Sequence, residues 1–127
     1  MLLDTNVVIR HLTGDPPAMA KRATRLLASA PELVLADLVV AECVYVLESF
    51  YEVPRNRVAE LMRAALAMPS VVADAELLLR ALEVYELERL DFADAYLVAS
   101  AELSGTIRIA SFDKGIDRIS SVERVAP

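Results

Sequence analysis

Met1-Leu2-Leu3-Asp4-Thr5-Asn6 is the stretch on which the reading of the fold turns. Three apolar residues make a short buried strand, an acid closes it, and Thr5 to Leu12 follow as a helical turn or two. Gly14-Asp15-Pro16-Pro17 stops that helix, and Pro17 opens the next, because proline at a first helical position gives up no intrahelical hydrogen bond. An acid closing a buried strand must reach the edge of the sheet or be satisfied by donors or a cation.

The same alternation continues outward from this stretch. Met19, Ala23, Leu26, Leu27 and Ala30 form an amphipathic stripe, with Lys21, Arg22 and Arg25 on the other face. Leu33-Val34-Leu35-Ala36 has strand length and is followed by Asp37, a residue suited to cap a helix over 38–51. That helix is apolar nearly all round, so it is either deeply buried or also faces another subunit. Pro54 restarts a helix to about Met68, and Val71-Val72-Ala73 is a third strand before Asp74. Helix 75–88 carries Ala75, Leu78, Leu79, Leu82 and Tyr85 inward. Asp91 caps helix 92–104, whose inward residues are Phe92, Ala95, Tyr96, Ala99 and Leu103. Ile107 to Ala110 is a fourth strand, Ser111 to Gly115 a turn, and Val122 to Val125 a weak fifth strand. All three glycines (Gly14, Gly105, Gly115) fall where an element should end. Strands alternating with helices predict an α/β fold with a parallel sheet, whose ligand sites lie at the carboxyl ends of its strands.

With 127 residues, no repeat and no linker, the chain is expected to form one domain over 1–127. No apolar run approaches the roughly 18 to 20 residues of a membrane span, so a cytoplasmic location is the expectation. The lone cysteine, Cys43, permits no internal disulfide and sits among apolar neighbours without a base, which argues for a core residue over a nucleophile. A net charge of −6 excludes holding nucleic acid by bulk electrostatics, so any such role must be local. The surplus acid is either a solvated surface or a set of carboxylates gathered around a cation.

Where the acids fall separates these readings. Asp4 ends the first strand, Glu42 lies about a turn into the helix after the second, Asp94 is in the first turn of the helix leading to the fourth, and Asp113 lies just past that strand. All four can therefore meet at one sheet edge. Taken singly, each also has an ordinary explanation. Asp94 stands three residues after Asp91 at capping-box spacing, and Asp113 precedes Gly115 as a turn residue would. Glu42 has apolar neighbours and needs a partner if buried. If the four converge, a donor set of oxygens without His or Cys points to Mg²⁺ or Mn²⁺ rather than zinc.

These residues resemble a family. Asp4-Thr5-Asn6, Glu42, Asp91-Phe92-Ala93-Asp94-Ala95 and Ser111-Phe112-Asp113-Lys114, in that order and spacing, look like a PIN domain, and within it a VapC-type toxin ribonuclease. The resemblance implies a sheet in the order 3-2-1-4-5 flanked by helices and a Mg²⁺- or Mn²⁺-dependent nuclease acting on RNA. Asp4, Glu42, Asp94 and Asp113 match its acidic quartet, and Thr5, Asn6 and Ser111 its supporting polar residues. Asp117 ranks below them. It also implies a homodimer and silencing by a small antitoxin, for which the apolar helix 38–51 and the helix 54–68 are the suitable surfaces. Arg10, Lys21, Arg22 and Arg25, or Lys114 and Arg118, are candidates for a basic rim, and the one histidine, His11, reads as a helix-surface residue.

Two alternatives compete. A phosphoacceptor receiver domain fits the length, but it wants adjacent acids after its first strand, where Thr5 and Asn6 stand. A non-catalytic relative that binds RNA or a partner is disfavoured by the complete quartet. Haloacid-dehalogenase-type chemistry is disfavoured because the second acid it needs, two residues after the nucleophile, is Asn6.

Overall fold

Val34 gives its backbone N–H to the Met1 carbonyl and accepts from Leu3, whereas Leu33 and Leu35 on either side donate to Ser70 and Val72. Successive residues of a strand bond in opposite directions, so this strand has a neighbour on each side. The computed structural model describes all of residues 1–127. The strand is β1 (Leu33–Val34), its parallel partner is β2 (Val71–Val72) with Leu33 opposite Val71, and Leu2 makes an isolated parallel bridge to Val34. The second sheet pairs β3 (Arg108–Ala110) with β4 (Glu123–Val125), also in parallel, Ile109 facing Arg124.

The chain divides into two compact units, Met1–Ala75 and Glu76–Pro127. The first holds α1 (Thr5–Thr13), α2 (Pro17–Ser29), β1, α3 (Asp37–Ser49), α4 (Arg55–Leu66) and β2. The second holds α6 (Phe92–Ser104), β3, a 3-10 turn over Lys114–Arg118 and β4, with α5 (Ala75–Glu88) starting at the boundary. The architecture is the mixed α/β one expected, with parallel pairing throughout. Within the units the neighbours 3-2-1 and 4-5 are present, while the step from the first strand to the fourth belongs to neither sheet. The first strand is a single bridge, because Met1 and Leu2 are exposed and Asp4 already turns the chain into α1.

The core of the first unit includes Val8, Ile9, Leu27, Leu33, Leu35, Val40, Leu47 and Met62; that of the second includes Leu78, Leu82, Tyr85, Val98 and Ile116. Burying each large side chain stabilises by about 1.5–3 kcal/mol. Three helix stripes differ from expectation. In α2 Ala23 and Leu27 are buried as expected, but Ala20 completes the line in place of Met19, which is 46% exposed. Alanines on that line let α1 approach closely, and α1 and α2 are packed together. Ala75, Leu79 and Leu103, expected inward, are also exposed. In α3, Val40, Cys43, Val44 and Leu47 form the buried stripe, which leaves Leu38 and Tyr45 exposed on the same helix, and Phe50 exposed just past its end.

Helix starts were only partly as read. Asp37 is the first residue of α3 and Ala36 occupies the cap, so Asp37 acts through the helix dipole. Asp91 does hold the cap position of α6, without a side-chain cap bond. Gly14 and Gly105 terminate α1 and α6 in left-handed conformations, as expected. Gly115 lies inside the 3-10 turn, for a steric reason that bears on the site.

Candidate functional site

In the Met1–Ala75 unit, Asp4 starts α1 with its main chain. Its backbone is extended (φ −88°, ψ 153°), its carbonyl accepts from Val7 N at 3.1 Å, and its side chain makes no cap bond. The exposed carboxylate is thereby left over for other use. Thr5 is buried behind it and Asn6 is exposed. Glu42 corrects the sequence reading, because it is exposed: the buried stripe of α3 runs through Val40, Cys43, Val44 and Leu47 and turns Glu42 outward.

Asp4 and Glu42 nonetheless act on one point. Burial first, then the charges of Glu42 and Asp4, push the Cys43 thiol up to about 12. Cys43 therefore stays protonated at neutral pH, which removes it as a nucleophile, as the sequence suggested. The two carboxylates, one just before α1 and one on α3, both lie within electrostatic reach of the same sulfur.

In the Glu76–Pro127 unit, Asp94 lies half-buried in the first turn of α6 and Asp113 precedes the 3-10 turn. Burial holds the Asp94 carboxyl above the usual carboxylate range, reinforced by a hydrogen bond with Asp113 and by the charges of Asp113 and Asp91. Two carboxyls in such contact need a shared proton or a cation between them. This is the pair of predicted residues that the structure brings into direct contact.

The loop carrying Asp113 is shaped by short polar contacts. Asp113 N donates to Ser111 Oγ at 3.0 Å, and Gly115 N donates to Asp113 Oδ1 at 2.8 Å. A Cβ on residue 115 would stand 2.8 Å from Leu90 Cδ2 and 3.0 Å from Asp113 Oδ1, so any larger residue there must displace one or both side chains. Arg124, from β4, donates Nε and Nη2 to the two carboxylate oxygens of Asp117 at 2.9 and 3.0 Å, and Nη1 to the Ser111 carbonyl at 3.0 Å. Both oxygens of Asp117 are thus engaged, and Arg124 holds that carboxyl below the usual range.

Arg124 is the residue that sequence reasoning passed over, and Gly115 was read there only as a turn glycine. Asp-x-Gly is also the spacing of an Asx turn, which is the bond that Gly115 N makes to Asp113. For Arg124 no signal was present, since its partner lies seven residues back across a loop.

The sequence matches the PIN domain over residues 1–122. The chain belongs to the PIN domain family. Among solved structures, this PIN chain is similar to VapBC2 from Rickettsia felis bound to a DNA fragment from their promoter. The likeness has 14% sequence identity, covers 98% of this chain and 96% of that chain, and has a TM-score of 0.39. No curated protein matches the sequence.

PIN domains generally use divalent metal ions. The donor chemistry of this PIN chain fits such an ion. Asp94 and Asp113 are oxygen donors whose mutual contact a cation would relieve. No group of three or more His, Cys, Asp or Glu side chains is gathered in ion-holding geometry, so the fit rests on the Asp94–Asp113 pair. The four predicted acids fall two to each unit. No helix is long and apolar enough to cross a membrane.

Proposed function

We propose that this PIN chain, residues 1–127 acting as a single domain, is a Mg²⁺- or Mn²⁺-dependent endoribonuclease of VapC type, the toxin of a toxin–antitoxin pair. The observation that carries the reading is the contact between Asp94 and Asp113, in a chain of the PIN family. The family match leaves the receiver-domain alternative without support.

Asp4, Glu42, Asp94 and Asp113 serve as the metal-holding carboxylates, with Thr5, Asn6 and Ser111 in support. A bound divalent ion supplies an activated water and neutralises charge on a phosphoryl oxygen. The chain's own part is positional: Gly115 N and the Ser111 hydroxyl fix the rotamer and backbone of Asp113, and the start of α1 leaves the Asp4 carboxylate free. The exposed Leu38 and Tyr45 on α3, with Phe50 just beyond it, suit a homodimer contact, and a cognate antitoxin is the second partner. The setting is cytoplasmic.

Cleavage of a single-stranded RNA, followed with Mg²⁺, with Mn²⁺ and with chelator, tests the reading on wild type, Asp4→Asn, Asp94→Asn and Asp113→Asn. Cleavage should need the ion and vanish in each folded variant. Equal cleavage in all four proteins would overturn it, and no cleavage by wild type with either ion would favour a non-catalytic PIN-fold binding module.

A further inference from the structure

Charge is sharply segregated in this chain. Residues 5–30 hold Arg10, Lys21, Arg22 and Arg25 against Asp15 alone, a net of +3 inside a chain of net −6, so the remainder carries −9. The cations of the remainder are largely occupied: Arg57 pairs with Glu60, Arg80 with Glu83 and Glu102, Arg108 with Glu123 and Arg124 with Asp117. Lys21, Arg22 and Arg25 have no acidic partner. All three are exposed.

These cations edge two grooves on either side of the seam where α1 meets α2. The first, of about 380 Å³, is lined by Asn6 and Arg10 from α1 and by Arg22 from α2, over an apolar floor that includes Val7 and Leu26. The second, of about 490 Å³, is edged by His11, Lys21 and Arg25. Asn6 and Arg10 are four apart and share a face of α1, as Met19, Ala23 and Leu26 share one of α2, so the first groove runs along both helices. It begins two residues from Asp4.

Arg10 marks what the first groove lacks. Its Nε is buried without a hydrogen-bond partner, and its Nη1 has only a long 3.4 Å contact to the Asp15 carbonyl. A half-buried guanidinium left in this condition is costly unless an anion completes it. Two guanidinium forks and an amide match the oxygens of a phosphodiester. No aromatic side chain lines the groove, so it offers phosphate contacts without a stacking platform.

We propose that the Asn6–Arg10–Arg22 groove is a phosphate subsite that grips the backbone of single-stranded RNA beside Asp4, irrespective of base sequence. The proposal rests on the nuclease reading for its choice of RNA. It resolves how an acidic protein holds a polyanion, because the local field reverses over one helical hairpin.

The test is equilibrium binding of a fluorescent single-stranded oligoribonucleotide to the full chain in chelator, at several salt concentrations, so that no cleavage intervenes. Arg22→Ala should weaken binding about tenfold and make the log–log salt slope shallower by about 0.7, the loss of one phosphate contact. Arg22→Lys should keep the slope, and Arg57→Ala should change neither quantity. Arg22 is exposed, so its variants fold even if Arg10→Ala does not. An unchanged slope in Arg22→Ala, or an equal loss in Arg57→Ala, overturns the subsite. So does Arg22-dependent binding of polyglutamate without binding of RNA, which would make the groove a site for an acidic peptide. Metal-dependent cleavage that ignores Arg22 sinks this inference and spares the nuclease reading, whereas Arg22-dependent binding without cleavage does the reverse.

Discussion

Arg124 grips both carboxylate oxygens of Asp117, at 2.9 Å from Nε and 3.0 Å from Nη2, while its third nitrogen reaches the Ser111 carbonyl at 3.0 Å. One planar side chain thereby ties the two ends of the segment that carries Asp113. Ser111 N also donates to Val125 O at 3.1 Å, so the segment is fixed to β4 by side chain and backbone together. A bidentate guanidinium contact of this kind fixes geometry more than it adds stability at an exposed position.

Arg124→Lys should therefore loosen the segment without unfolding the chain. An ammonium cannot span both Asp117 oxygens and the Ser111 carbonyl at once. Amide hydrogen exchange over residues 111–117 should quicken, with the rest of the chain unchanged, and RNA cleavage should lose kcat more than KM. Unaltered exchange in that segment would show that backbone pairing alone holds it.

Gly115→Ala tests the same loop from inside. The added methyl meets Leu90 Cδ2 at 2.8 Å and Asp113 Oδ1 at 3.0 Å, so the buried Leu90 side chain must shift and the Asp113 carboxyl must give with it. The expected cost is about 1–3 kcal/mol in denaturant unfolding, together with loss of the Gly115–Asp113 hydrogen bond. Activity should fall by more than stability does. A variant with wild-type stability and cleavage would show that Asp113 can turn freely.

The two sites were unequally legible in the sequence. Helices α5 and α6 could be placed to within a residue, because Leu78, Leu82 and Tyr85, and Phe92, Ala95 and Ala99, hold helical spacing and Gly105 stops the second run. At the start of the α2 stripe Ala20 stands where Met19 was expected, because periodicity ranks Met19 above Ala20 by hydrophobicity, while packing against α1 favours the smaller residue. Glu42 misled for a related reason: its sequence neighbours are apolar, but on a helix the neighbours that share its face are those three and four residues away. Asp4 and Asp113 stood out as candidates because one closes the first strand and the other lies just past the fourth. The bonds that aim Asp113 could not, since Arg124 and Asp117 meet only once the loop is folded.

Glu102 supplies the stability prediction with a pH signature. The hydrogen bonds from Arg80, with Nε at 2.7 Å and Nη2 at 2.8 Å, hold its carboxyl below the usual range, and the Ser121 hydroxyl adds to this. A depressed acid contributes stability above its unfolded pKa, near 4.3, and that contribution is lost as pH falls through the lower folded value. Arg80 is partly exposed, so solvent screening limits the contribution to about 1 kcal/mol. Glu102→Gln should lower stability by that amount at pH 7, and its deficit should shrink as the pH drops below about 4. A deficit independent of pH would mean that packing, not charge, accounts for the loss.

Asp94→Asn should act in the opposite direction. Burial and the nearness of Asp113 and Asp91 disfavour the Asp94 carboxylate, so at neutral pH in metal-free buffer its ionisation destabilises the fold. The sign follows from the raised value: protonation restores stability at low pH, and the cost sets in as pH rises past the ordinary carboxylate range. An amide removes the charge and can still donate to Asp113, so the variant's melting temperature without metal should exceed that of wild type. Mg²⁺ or Mn²⁺ should raise the wild-type melting temperature by binding the folded state, and raise the variant's much less. A variant that melts lower than wild type without metal would show that Asp94 and Asp113 are held as a structural pair. Equal metal-induced shifts in the two proteins would take Asp94 out of the ion site altogether.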